Sequence, residues 1–221
     1  MPGLPAALEA AVERCRSTID EHWGDVGTDD DKSVKASSPL WHLMRALGES
    51  GPGDVARRRL ARLAHFAARR ALACWELYCD EDRPRRAVEA VGRHLDGGAT
   101  AAPWDEFSIA AGPAYRGRPI TDCRFCDTSC AAESAAHAAL FVREGDIDDA
   151  YQCVGYADMA FDQSPFCEED HFREWLLDVA VPAAFEDREM TATEQEALRG
   201  YDGSQISLMR DEQSYEGEAE E

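Results

Sequence analysis

Apolar residues recur at three- and four-residue steps along most of this chain, which is the spacing of amphipathic helices. The longest such pattern covers residues 54–95 and predicts two antiparallel helices joined by the turn CDEDRP. Asp54 and Asp82 are predicted to cap these helices, and Gly97 to end the second. Two helices cannot bury their apolar faces alone, so we expect the rest of the chain to pack around this hairpin.

Shorter stretches with the same periodicity predict further helices, and no segment carries a clear strand pattern. The predicted fold class is therefore all-α, a single multi-helix domain with roughly seven to nine helices. An acidic polar loop is expected over residues 24–37. The other predicted helices cover residues 4–23, 39–47, a segment starting near Ser129, 147–162, 165–180 with a break or kink at Pro182, and 191–198.

Helical periodicity stops near the C-terminal end of the chain. Thr191 and Glu194 form a capping-box pattern at the start of the last predicted helix. Residues 211–221 hold six carboxylates and no lysine or arginine. We therefore expect an α-helical domain over residues 1–199 and a disordered acidic tail over residues 200–221.

The net charge of −21 over 221 residues changes the range of partners to be expected. Nucleic-acid binders and proteins that dock on anionic lipid need cationic surfaces, so both classes are disfavoured, whereas a basic protein partner fits. No apolar run reaches 18 residues, and the first residues lack the basic region of a secretory signal. The expected location is cytoplasmic, where the eight cysteines stay reduced unless they bind metal or perform redox chemistry.

Three of those cysteines form the densest chemical pattern, Cys123-x2-Cys126-x3-Cys130. Three thiols on a loop that leads into a helix N-terminus suit a metal ion, because the helix dipole favours thiolate. Zinc needs a fourth ligand or leaves that position open. His137 is a poor candidate because it lies two helical turns beyond Cys130, and the better candidates are Cys153, Cys167, His171 or a carboxylate brought in by folding. An iron–sulfur cluster is the less favoured metal centre. The alternatives are small buried side chains or a redox disulfide.

The remaining chemical residues favour structural roles. Cys15, Cys74 and Cys153 fall on apolar helix faces, where core packing is expected. Asp148, Asp149 and Asp158 would form a carboxylate site only if folding brought them together. The sequence holds no glycine-rich phosphate loop, serine nucleophile elbow or HExxH pair, which favours a non-enzymatic role.

Residues 67–95 read AARRALACWELYCDEDRPRRAVEAVGRHL. This segment resembles the Imm-5-like bacterial immunity proteins, in which a helix rich in alanine and arginine is followed by an acidic turn and an Asp-Arg-Pro-Arg helix start. Here that start is Asp82 to Arg85. The alanine-rich segments 131–140 and 147–162 are also similar, so the resemblance covers roughly residues 55–165. A cysteine-bearing insertion at residues 112–130 departs from the family pattern.

The resemblance implies an all-α fold and a role in neutralising a partner toxin. An alternative reading of Arg83, Arg85 and Arg86 is a solvated helix start that pairs with the acidic turn before it. Two functional hypotheses follow. The first is a non-enzymatic, immunity-type antagonist whose acidic surface meets a basic toxin. The second is a metal-binding helical protein, a sensor or an enzyme, that uses the cysteine cluster.

Overall fold

The computed structural model describes residues 3–19, 23, 32–78, 82–97, 126–162 and 169–196. These residues form helices and connecting turns without any strand, which confirms the all-α prediction. None of the described helices combines the length and apolar character needed to cross a membrane. The helices are α1 (Ala6–Ser17), α2 (Lys32–Ser37), α3 (Pro39–Gly48), α4 (Gly53–Tyr78), α5 (Arg83–Leu95), α6 (Cys126–Glu144), α7 (Ile147–Asp162), α8 (Glu169–Trp175), a π-helical turn (Leu176–Ala180), α9 (Val181–Phe185) and α10 (Ala192–Glu196).

The predicted hairpin is present as α4 and α5, and α4 is the central helix of the fold. It packs against α3, α5, α6, α7 and α9, which confirms that other helices surround the hairpin. Gly97 follows α5 with φ +81°, as a helix-ending glycine should. The predicted caps differ. Asp54 lies inside the first turn of α4, and Asp82 stands at the N-cap of α5 without a side-chain capping hydrogen bond.

Three consecutive arginines near the start of α4 each reach the C-terminal end of another helix. Arg57 donates to the Val142 carbonyl of α6 at 3.0 Å. Arg58 donates to the carbonyl of Leu95, the last residue of α5, at 2.7 Å. Arg59 donates to the Ser50 carbonyl just beyond α3 at 2.6 Å. Because the last carbonyls of a helix lack partners within it, Arg57 and Arg58 cap α6 and α5, and Arg59 bonds the turn that follows α3.

Alanine shapes the contact between α6 and its neighbours. Six alanines on α6 are at most 4% exposed, and the helix packs closely against α4 and α7. Small side chains permit this close approach. The Ser134 hydroxyl donates to the Cys153 carbonyl of α7 at 2.8 Å and thereby supplies one polar bridge in the interface. The six buried alanines are Ala131, Ala132, Ala135, Ala136, Ala138 and Ala139.

A buried ion pair joins the last helices to the first. The Arg173 guanidinium donates from Nε and Nη2 to the two carboxylate oxygens of Asp158 at 2.8 and 2.9 Å. Its Nη1 donates to the Ile19 carbonyl at 2.6 Å, and the group lies 5.2 Å from the Trp23 ring. Both partners of the pair are at most 4% exposed. These contacts of Arg173 therefore hold the segment after α1 against α7 and α8.

Two predictions for the first forty residues were wrong. The first helix ends at Ser17, because Thr18 turns the chain and its hydroxyl bonds the Arg14 carbonyl. Trp23 is nevertheless buried, as a residue outside the helix whose indole donates to the Thr18 carbonyl at 3.1 Å. Part of the predicted acidic loop, residues 32–37, forms α2, whereas residues 24–31 lie outside the described part of the chain.

Pro182 does not break the helical path. The π-helical turn Leu176–Ala180 precedes it, and α9 continues to Phe185. Proline lacks an N–H and its ring crowds the preceding turn of an α-helix. A wider turn directly before Pro182 relieves that crowding, so the predicted irregularity takes the form of a π-turn.

The chain divides into two compact units, Met1–Glu189 and Met190–Glu221. In the second unit, the predicted capping box is confirmed. The Glu194 amide donates to the Thr191 hydroxyl at 3.2 Å, and the Thr191 amide donates to the Glu194 carboxylate at 2.7 Å. Residues 200–221, the predicted tail, lie outside the described residues. The domain boundary near residue 199 therefore stays a prediction.

Candidate functional site

The predicted metal site lies largely beyond the described residues. Cys123 and Cys167 are not described, and Cys126 and His171 are described in backbone alone. Cys130 is a buried thiol outside any disulfide, 8% exposed. Among the described residues, no three His, Cys, Asp or Glu side chains lie close enough together to hold a metal ion. The zinc or iron–sulfur prediction therefore stays a prediction.

The backbone does change the local geometry of that cluster. The helix starts at Cys126, three residues before the predicted start near Ser129. Cys126 and Cys130 are consequently four residues apart on one helix and share a face. His137 contacts two residues of α7. Its Nδ1 is 3.0 Å from the Asp149 carboxylate, and its ring stacks on Tyr156.

The thiols assigned to the core are buried as predicted. Cys15, Cys74 and Cys153 are completely inaccessible. Burial raises the pKa of the Cys15 and Cys153 thiols to about 12, so both are protonated at neutral pH. The Cys153 thiol also donates to the Ala64 carbonyl of α4 at 3.3 Å.

Folding separates the three carboxylates that could have formed one site. Asp158 belongs to the buried pair with Arg173, and Asp149 pairs with His137. Asp148 forms an ion pair with Lys35. Each carboxylate therefore has a different partner side chain, and the three do not form one shared carboxylate site.

A groove of about 480 Å³ runs between α4 and α5. Leu72 and Val88 give it an apolar portion, and the imidazole of His65 borders it opposite Gly92. A Cβ added to Gly92 would lie 3.1 Å from Nε2 of His65 and 3.3 Å from Cε1. Glycine inside a helix costs about 1 kcal/mol relative to alanine, and here its missing side chain makes room for the imidazole.

His65 combines deep burial with incomplete hydrogen bonding. The residue is 5% exposed, and its Nδ1 has no hydrogen-bond partner among the described protein atoms. Burial is the main cause that lowers the pKa of the imidazole to about 3, and the charges of Arg69 and Arg62 lower it further. His65 is therefore neutral at physiological pH.

The sequence pattern singled out neither His65 nor this groove. The helical register of α4 places His65 four residues before Arg69. No local pattern, however, indicates that Gly92 on another helix faces the ring. Arg173 was likewise missed, because its partner Asp158 lies 15 residues away across a connection.

Comparisons of the chain with protein-family models, with curated proteins and with solved structures find no match.

Proposed function

We propose that this chain is a non-enzymatic helical binding protein, an immunity-type antagonist that binds and neutralises a partner protein. The distribution of charge carries the proposal. Residues 53–95 hold ten of the 23 Lys and Arg residues but six of the 44 Asp and Glu residues. This stretch therefore has a net charge of +4, and the rest of the chain has −25. The expected partner is a basic toxin that meets the acidic surface outside the hairpin.

Two further observations support this proposal. The segment that resembles immunity proteins forms α4 and α5, the helices around which the fold is built. The four cysteines whose side chains are described form no disulfide, which suits a reducing compartment, so a cytoplasmic location is part of the proposal.

The direct test is co-expression with a toxic protein encoded by a neighbouring gene. The proposal expects growth to be rescued and the purified proteins to bind, with affinity falling steeply as salt rises from about 50 to 500 mM. Lack of rescue together with lack of binding would refute it.

Charge reversal locates the binding surface. Glu9 and Glu13 are exposed carboxylates on α1, and Glu89 is an exposed carboxylate within the cationic hairpin. The Glu9→Lys variant should weaken binding by slowing association, whereas the matched single change Glu89→Lys should leave binding like wild type. Equal effects of both changes would place the partner elsewhere.

The second candidate is a metal-binding protein, and the position of Cys126 and Cys130 on one helical face favours it. Two thiols one helical turn apart can bind the same ion, with Cys123 and either Cys167 or His171 completing a zinc site. Elemental analysis of untagged protein should give one equivalent of zinc that is lost in Cys126→Ser. Metal-free folded protein would refute this candidate.

A further inference from the structure

We propose that the rings of Trp41 and Tyr151 and the carboxylate of Asp148 form a docking cage for a lysine side chain of a basic partner protein, and that Lys35 of α2 fills this cage until the partner displaces it. The basic character of the partner rests on the proposed function. The cage lies on α3 and α7, outside the cationic hairpin, and is one point at which the partner can dock.

The cage holds an ammonium group between two aromatic rings and a carboxylate. The Trp41 and Tyr151 rings are nearly perpendicular, at 87°, and their centroids are 5.5 Å apart. Nζ of Lys35 lies 4.6 Å from the centroid of the Trp41 ring and 5.3 Å from that of the Tyr151 ring, and it forms an ion pair with Asp148. Aromatic rings attract a cation placed over their faces, so this arrangement recognises ammonium groups.

Lys35 is carried by a short helix that can move away from the cage. α2 has six residues, which are too few for a helix to be stable without packing, and Ala36 and Ser37 are exposed. The Lys35 side chain is 27% exposed and the Asp148 side chain 43%, so the cage opens to solvent. Release of α2 would uncover the two rings and the carboxylate, while α3 and α7 stay packed in the core.

The side chains around the cage favour a cation in the place of Lys35. Burial lowers the pKa of Lys35, whereas the charges of Asp146 and Asp149 raise it and so favour the ammonium form. A buried acceptor also remains open, because Oε1 of Gln152, one helical turn after Asp148, has no hydrogen-bond partner among the described atoms. An ammonium has three donors, and Lys35 leaves this oxygen unpaired. Residues 126–162, which include α7, have a net charge of −7, so a basic partner is attracted to this side.

The ligand class is a lysine ammonium rather than an arginine guanidinium. Among the 23 Lys and Arg residues of the chain, Lys32 and Lys35 are the only lysines, and both belong to α2. An ammonium is a compact charge that fits between perpendicular rings, whereas a guanidinium is a plane that stacks on one face. The chain therefore fills its own cage with the type of side chain expected from the partner.

The first experiment needs no partner protein. Full-length protein labelled with ¹⁵N-tryptophan is titrated with Nα-acetyl-lysine-methylamide at constant ionic strength, and Trp41→Phe identifies the Trp41 indole signal. Lys35→Ala should show a saturable shift of this signal, with binding about tenfold tighter than in wild type. The norleucine analogue of the probe, which lacks the ammonium, should not bind. Lys35→Ala/Asp148→Asn should bind the lysine probe about tenfold more weakly than Lys35→Ala does.

Arg14→Ala is the matched control. Arg14 is an exposed residue of α1, and its loss changes the net charge of the chain as much as the loss of Lys35 does. This variant should bind the lysine probe like wild type. The same variants are then tested with the toxin, which Lys35→Ala should bind about tenfold more tightly than wild type and Arg14→Ala about as wild type does.

The docking cage is overturned if Lys35→Ala gives no saturable shift, if the norleucine analogue binds as well as the lysine probe, or if Arg14→Ala gains as much affinity as Lys35→Ala. Failure of the proposed function has a different result. In that case no variant binds the toxin, while the probe titration still shows the lysine site.

Discussion

The α4–α5 hairpin and the α6–α7 hairpin contact their neighbours through different kinds of side chain. Residues 53–95 have a net charge of +4, and residues 126–162 have one arginine and eight carboxylates, a net charge of −7. In the second hairpin, buried alanines bring the backbones close together. In the first, long arginine side chains reach outward to the ends of neighbouring helices.

This difference determines where the fold should tolerate change. An alanine interface leaves no spare volume, so an added methylene must move a helix. An arginine contact at the surface is made by a flexible side chain, and its loss leaves carbonyls that water can reach. The following predictions test this contrast, beginning with the buried charge at the acidic hairpin.

Replacing Arg173 with methionine should be the most damaging change. It removes the partner of the buried Asp158 carboxylate and should lower the free energy of unfolding by about 3–5 kcal/mol. The double variant Arg173→Met/Asp158→Leu removes both charges and should recover much of the loss. Urea denaturation of both variants measures the effect, and a double variant no better than the single one would contradict this account.

Ala135→Leu should cost about 1–3 kcal/mol, because Ala135 is completely buried in the alanine interface. The matched change Ala10→Leu, at an exposed position of α1, should be near neutral. Thermal denaturation of both variants tests the close packing of α6. Equal melting temperatures would show that the alanine interface has free volume.

Acid should destabilise the protein through His65. The unfolded chain takes up a proton at the ordinary imidazole pKa of 6.5, but the folded chain does so only near pKa 3. Stability from this group is therefore complete above pH 6.5 and is lost as pH falls from 6.5 towards 3, by about 2 kcal/mol at pH 5. The loss between pH 7 and pH 5 should be smaller in His65→Asn than in wild type. A wild-type pH dependence in His65→Asn would refute this assignment.

The smallest effect is expected from the arginine contacts. Arg58→Gln removes the donor to the Leu95 carbonyl and the 2.6 Å ion pair with Asp187, both at a half-exposed site. The expected loss is about 0–1 kcal/mol, from equilibrium denaturation. A loss of unfolding free energy as large as that of Ala135→Leu would show that the α4–α5 hairpin tolerates substitution no better than the α6–α7 hairpin.

The helices were predictable because their signals are local. Apolar residues of α4, α5 and α7 repeat with helical spacing. The sequence therefore predicted that these helices exist and roughly how long they are. The end of α1 was missed because Trp23 continues its apolar pattern, although the chain has already turned at Thr18. Side-chain pairs between helices could not be predicted, because the position of one helix along its neighbour depends on the whole fold.

The candidate sites show the same limit. Spacing could identify Cys126 and Cys130 as a thiol pattern, but not which distant residue approaches them. The sequence predicts a helix around His65. It does not show that the His65 ring packs against Gly92, which lies on another helix 27 positions later. Contacts of this kind are set by tertiary packing, which a single sequence does not encode in any short motif.

The buried thiols can report local unfolding of the protein. Cys15, Cys74 and Cys153 lie on α1, α4 and α7 and are inaccessible in the folded chain. An alkylating reagent reacts with a thiolate that it can touch, so each of these residues is modified when its helix detaches. Peptide mass spectrometry of slowly alkylated native protein would therefore time the opening of three helices separately, without any introduced label.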